Sequence, residues 1–196
     1  MTAAAERWIA ELGDRTRRSA ARHQLLALGT QAVDSLLAAA DAPGEPERLH
    51  TIAWLLVALA DPRADQLFKG WLRSDDEHLR AAGASGLARL QSPYALDALV
   101  ATIDDAADPL HADVTPSATG LGVMGRAAAA AVLNLLESRS EMTRLRAQHA
   151  LEAIASSETR GAWSELWARN GGYRWDAPEA QRAASLLRWR RWLALL

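Results

Sequence analysis

The sequence predicts an all-α chain: a stack of about five helical hairpins, an α-solenoid closed at its C-terminal end by one more helix. Three observations carry this. Leu28, Leu59, Leu90 and Leu121 stand 31 residues apart, and Ile154 follows 33 further on. Each ends a helical-looking run and has an apolar or small residue three positions earlier: Leu25, Leu56, Leu87, Ala118 and Leu151. Fixed self-similarity at this period marks supersecondary units that bury their apolar faces by stacking. Second, Ala and Leu dominate, with one Phe, two Tyr and few β-branched residues, a palette that favours helix over sheet. Third, Asp61-Pro62 and Ser92-Pro93, one period apart, each place a capping side chain before a proline suited to the first helical position.

The elements follow in order. Residues 1–14 read as a short amphipathic helix carrying Arg7, Trp8, Ile9 and Leu12, not as a secretory signal. The repeats span about 15–42, 46–74, 76–104, 109–138 and 141–170, followed by a cap over 171–196, in one domain of 196 residues. In the first repeat, Gly29 suits the end of the leading helix, where a left-handed backbone is needed. Pro43, Gly44 and Pro46 then break the chain. The second and third repeats turn at Asp61-Pro62 and Ser92-Pro93. The fourth is irregular: Pro116 is expected inside its first helix, bending or shortening it. Its second helix carries five consecutive alanines, Ala127 to Ala131, which suit close packing against a neighbouring helix. After the fifth repeat, Gly171-Gly172 stop the chain, and Asp176-Ala177-Pro178 are expected to cap a last helix with Leu186, Leu187, Trp189, Trp192 and Leu193. Five of the eight tryptophans lie between Trp163 and Trp192, large side chains suited to cover a terminal hairpin.

Composition narrows the function classes. The formal net charge is −2 and 49% of residues are apolar, a globular balance with no general attraction to polyanions. There is no cysteine, which excludes disulfides, thiolate metal sites and cysteine nucleophiles. No stretch approaches a membrane-spanning length of apolar residues, so a cytoplasmic protein without membrane contact is expected. No nucleophile elbow, phosphate loop or dinucleotide fingerprint occurs, and nothing in the pattern calls for a cofactor. Gly120, Gly122 and Gly125 read as turn and packing glycines, not as a nucleotide loop.

The pattern R-x-A-A-x-x-L-x-x-L-G followed by a Leu-rich helix resembles the short bacterial HEAT-like repeats of the phycobilisome-lyase type. It stands at Arg18 to Gly29, Leu79 to Leu90 and Leu145 to Ile154. The segment Leu166 to Leu193, ending in Trp189 and Trp192, resembles a tail found on some bacterial HEAT-repeat proteins. The resemblance implies a right-handed solenoid with second helices on its concave side, and binding of another protein there. Branches of the family act as bilin lyases, DNA glycosylases and iron hydroxylases. The hydroxylases use paired His-Glu motifs, and this chain has no His-Glu dipeptide.

The expected function is a non-catalytic scaffold or adaptor for a protein or peptide. Its candidate surface is the exposed face of the second helices: Asp34, Ser35, Arg63, Gln66, Lys69, Arg73, Tyr94, Asp97, Ala101, Arg126, Asn134, Arg160 and Glu165. Their mixed charge suits a protein partner more than a polyanion. The alternatives are a nucleic-acid-binding protein resembling the HEAT-like glycosylases and a bilin-binding protein. Residues 160–196 carry a net charge of +4 and offer Arg with Trp163, Trp167 and Trp175. The five histidines, His23, His50, His78, His111 and His149, fall in or at the start of first helices, spread one hairpin apart and too far to share a metal. Asp104, Asp105, Asp108, His111 and Asp113 form an acidic cluster best explained by helix capping and a solvated loop, without the glycine and spacing of a calcium loop. No oligomeric state is implied.

Overall fold

The helix starts at Pro46, Glu77, Pro116 and Glu141 carry a proline in the first turn, a side-chain cap, or both. The computed structural model describes residues 3–42, 44–159 and 162–195. The helices are α1 Ala3–Glu11, α2 Arg18–Leu28, α3 Val33–Asp41, α4 Pro46–Leu59, α5 Asp65–Trp71 and α6 Glu77–Arg89. They continue as α7 Ala95–Ala101, α8 Pro116–Met124, α9 Arg126–Leu135, α10 Glu141–Glu158, α11 Trp163–Arg169 and α12 Glu179–Ala194. Among the described residues there is no strand and no helix long and apolar enough to cross a membrane. The chain divides into two compact units, Met1–Ala95 and Leu96–Leu196.

In the amino-terminal unit the leading helices pack in sequence order, α2 on α4 and α4 on α6. The shorter helices pack beside them: α3 against α4 and α5 against α6, with α1 covering α2 and α3. In the second unit α8 packs on α10, α9 lies against both, α11 against α10, and α12 against α9.

The period is written into the backbone and the core. Leu25, Leu56, Leu87, Ala118 and Leu151, three before each landmark residue, are all fully buried. Of the landmark residues themselves, Leu28, Leu59 and Leu90 are only half-buried, whereas Leu121 and Ile154 are fully buried. Gly29, Ala60 and Gln91, each just after a landmark, all have positive φ: 59°, 49° and 55°. Only Gly29 occupies that conformation without a Cβ penalty.

A third periodic device is an arginine ten residues before the landmark. Arg18 Nε donates to the Leu12 carbonyl at 2.9 Å. Arg80 Nη1 donates to Ser74 and Asp75 carbonyls, each at 3.0 Å. Arg144 Nη1 donates to Ser138 and Arg139 carbonyls at 2.9 and 3.0 Å, and its Nε to the Trp175 carbonyl at 2.9 Å. Each guanidinium folds back over the start of its helix and pins the preceding turn. Arg182 reaches the Ala177 carbonyl in the same way at the start of α12.

Close helix approach comes from missing side chains. A Cβ on Gly86 would lie 2.5 Å from the buried Phe68 ring, and one on Gly83 2.6 Å from the Phe68 carbonyl, so α5 rests directly on the α6 backbone. A Cβ on Gly122 would lie 2.7 Å from that of Ala153, the same close approach between α8 and α10. Gly120 and Gly122 are thus packing positions inside α8, and Gly125, with φ of 61°, is the turn.

The fourth repeat differs from expectation. Pro116 does not interrupt a helix; it opens α8 at the first position, where its missing N–H costs nothing. Thr115 is the cap: its hydroxyl accepts from Ala118 N–H at 3.0 Å and donates to the Ile103 carbonyl at 2.9 Å. Asp176 likewise does not cap α12. It pairs with Arg174 at 2.8 Å, and α12 starts without a side-chain cap. Pro43 lies outside the described residues.

Candidate functional site

Most of the expected surface residues are solvent-facing. In the amino-terminal unit Asp34, Arg63, Gln66, Arg73 and Tyr94 are exposed and Lys69 is half-buried. Ser35 is the exception: it points inward and is buried, because the short helical turn over 29–32 rotates α3 from the orientation that an uninterrupted helix over 31–40 implies. Tyr94 is 56% exposed, and the Lys69 ammonium sits 4.9 Å from its ring centre while also bonding Asp65 Oδ2 at 2.7 Å. A cation–π contact of this kind restrains the tyrosine ring.

Arg63 is more occupied than its sequence position suggests. It grips Asp61 with two parallel bonds of 2.9 Å, reaches Asp34 Oδ1 at 2.6 Å, and donates to the Thr30 carbonyl at 2.9 Å. The first cause of Asp61's lowered pKa is this guanidinium, reinforced by the Arg63 backbone N–H it caps and opposed by burial. Arg63 thereby joins the first hairpin to the second, and holds this face in shape as well as presenting it.

In the second unit Asp97, Ala101, Arg126, Asn134 and Glu165 are exposed, and Arg160 lies outside the described residues. Asn134 faces Arg190 of α12 at 3.4 Å, and the same guanidinium pairs with Glu137 at 2.7 Å. Three arginines of the basic end have internal partners: Arg174 with Asp176, Arg190 with Glu137, and Arg182 with a carbonyl. Trp163, Trp167, Trp189 and Trp192 meet edge-to-face in a chain with centroids 5.1 to 5.9 Å apart. They pack against one another, with Trp189 buried and the other three half-buried, and Trp175 is half-buried as well.

The acidic connection of residues 104–113 is likewise engaged. Asp104 accepts from Arg146 Nη1 and from the Thr143 hydroxyl, both at 2.6 Å. Asp108 accepts from the backbone N–H groups of Leu110 and His111, which hold its carboxyl below the usual range. His149 lies 3.2 Å from Asp113.

One cluster was not legible as such. His50 of α4 and His78 of α6 stack with ring centres 4.6 Å apart and planes 17° apart. The expected separation of successive histidines therefore fails for this pair. His50 stands nine before Leu59 and His78 twelve before Leu90, an offset of one helical turn that lets rings on neighbouring helices meet. Between them is Asp76, the cap of α6. Its Oδ1 accepts from the backbone N–H of His78 at 2.8 Å and of Leu79 at 3.3 Å. Its Oδ2 lies 2.6 Å from His50 Nε2. Burial pushes the Asp76 carboxyl up, but His50 and the two α6 amides outweigh it, and its pKa is lowered. An open groove of about 330 Å³ adjoins the two rings, lined also by Arg18, Glu47, Thr51 and Trp54. The signal available in sequence was Asp76-x-His78 at a helix start.

Comparison of the chain with protein-family models, with curated proteins and with solved structures finds no match.

Proposed function

We propose that the chain is a HEAT-like interaction module in which each unit is a short right-handed α-solenoid. The exposed second-helix face of the amino-terminal unit binds an extended segment of another protein. The observation that carries this is Tyr94, more than half exposed and seated on Lys69, in a unit where Gln66 and Arg73 are also exposed. Aromatic and arginine side chains are the usual anchors of protein interfaces, and a pre-ordered ring loses little entropy on binding. The Arg63 bridge from Asp61 to Asp34 supports the reading, because it keeps neighbouring hairpins in one register.

The test is site-specific photocrosslinking in the source cells. A photoreactive residue at position 66 or 94 should capture one partner that a residue at Gln24, exposed on leading helix α2, does not. Tyr94→Ala should abolish capture from position 66. Equal capture from position 24, or none from 66 and 94, would remove the proposal.

A further inference from the structure

We infer that His50, Asp76 and His78 form a binding site for a divalent transition-metal ion of the imidazole-preferring class, such as Zn²⁺, Co²⁺ or Ni²⁺. One ligand atom from each residue lies within 4.8 Å of the other two. Two imidazoles with one carboxylate is a donor set suited to these ions, and three protein ligands leave a further position for water.

The carboxylate is already oriented. Asp76 Oδ1 is held by two backbone amides of α6, so Oδ2 is fixed in direction and points at His50. Hydrogen-bonded carboxylates of this kind are the usual support for a metal ligand. A tetrahedral ion with bonds near 2.1 Å needs donor atoms about 3.4 Å apart. The His50–Asp76 pair, 2.6 Å apart, must open by under 1 Å, and no pair need close by more than about 1.4 Å. The His50, Asp76 and His78 side chains are 23, 33 and 47% exposed, which leaves them room to rotate toward a shared ion. Binding unstacks the rings and replaces the hydrogen bond between His50 and Asp76. The groove beside the rings gives the ion a path in and leaves the water position facing solvent. The ion clamps α4 to α6, one hairpin to the next.

The experiment uses the full chain, free of any histidine tag, titrated with Co²⁺ and followed by visible d–d absorption. With no cysteine in the chain, the bands report nitrogen and oxygen ligands only. One saturable equivalent is expected, displaced by Zn²⁺, with a melting temperature that rises with the logarithm of free Co²⁺. His50→Ala and His78→Ala should each weaken binding at least about tenfold. Asp76→Asn, which keeps an acceptor for the helix cap, should also weaken it. His149→Ala, which removes the histidine paired with Asp113, should bind like the native chain. Circular dichroism of each metal-free variant separates loss of a ligand from loss of fold. No saturable band in the native chain, or unchanged binding in folded His50→Ala and His78→Ala, overturns the inference and leaves Asp76 as a helix cap with a histidine neighbour.

Discussion

Replacing Arg144 by methionine tests whether the arginine clip that opens alternate repeats is a main stabiliser. Arg144 is 5% exposed and makes three hydrogen bonds to carbonyls of Ser138, Arg139 and Trp175. Bonds from a charged donor contribute about 1.5–3 kcal/mol each when broken singly, and buried carbonyls left without partners add to the cost. Methionine keeps most of the apolar stem and removes the expense of burying a charge, which offsets part of the loss. The expected net destabilisation is about 3 kcal/mol. Arg18 makes the equivalent bond to Leu12, but its side chain is 24% exposed and its second partner is the open carboxylate of Glu47. Arg18→Met should therefore cost only about 1 kcal/mol. Urea denaturation followed by circular dichroism reads both, and at this chain length 3 kcal/mol corresponds to roughly 6–12 °C in melting temperature. An Arg144→Met loss no larger than that of Arg18→Met would refute the reasoning, because burial of the clip would then not set its contribution.

Four further outcomes follow from the same packing. Ala60→Gly and Gln91→Gly relieve positive φ at the ends of two leading helices and should each add about 0.5–1 kcal/mol by chemical denaturation. Gly86→Ala, whose Cβ would lie 2.5 Å from the Phe68 ring, should cost about 1–3 kcal/mol, whereas Gly70→Ala, with nothing within 4 Å, should be neutral or stabilising by up to about 1 kcal/mol. Burial raises the Tyr173 pKa to about 12, against the pull of Arg182 and Arg144. Between about pH 10 and 12 the unfolded chain has lost that proton and the folded one has not, so stability should fall by up to about 2.7 kcal/mol across this window, and Tyr173→Phe should remove that fall. Cutting the chain before Gly171 removes the buried Tyr173, Leu186 and Trp189, and light scattering should show aggregation.

The all-helical fold was readable because a period of 31 governs features that physics ties together. The core row at Leu25, Leu56, Leu87, Ala118 and Leu151 follows from apolar spacing alone. The caps at Asp61 and Ser92 follow from local side-chain chemistry, and both accept the backbone N–H two residues on. What escaped were choices that apolar periodicity does not encode. Pro116 fits the inside of a bent helix or the start of a straight one; the Thr115 hydroxyl, bonded to Ile103 twelve residues back, selects the start. Asp176 looked like a cap, but Arg174 two residues before it offers a charged partner. Ser35 turned inward because four residues of tighter helix precede α3.

The surface residues divide along the same line. Exposure of Gln66 follows from helix phase, so sequence periodicity locates it, whereas Arg73 and Tyr94 are exposed in the turns just after α5 and just before α7. The joining of Arg63 to Asp34 and of His50 to His78 depends on the offset between neighbouring hairpins, which no single-helix pattern encodes. In a strict repeat, equal register positions on adjacent leading helices would place like residues side by side. Here the two histidines differ by three positions, and Asp76 sits at the helix start that the offset brings level with His50. A repeat specifies where the helices lie; the departures from it decide which side chains meet, and the meeting of two imidazoles with an oriented carboxylate is the most chemically capable of those departures among the described residues.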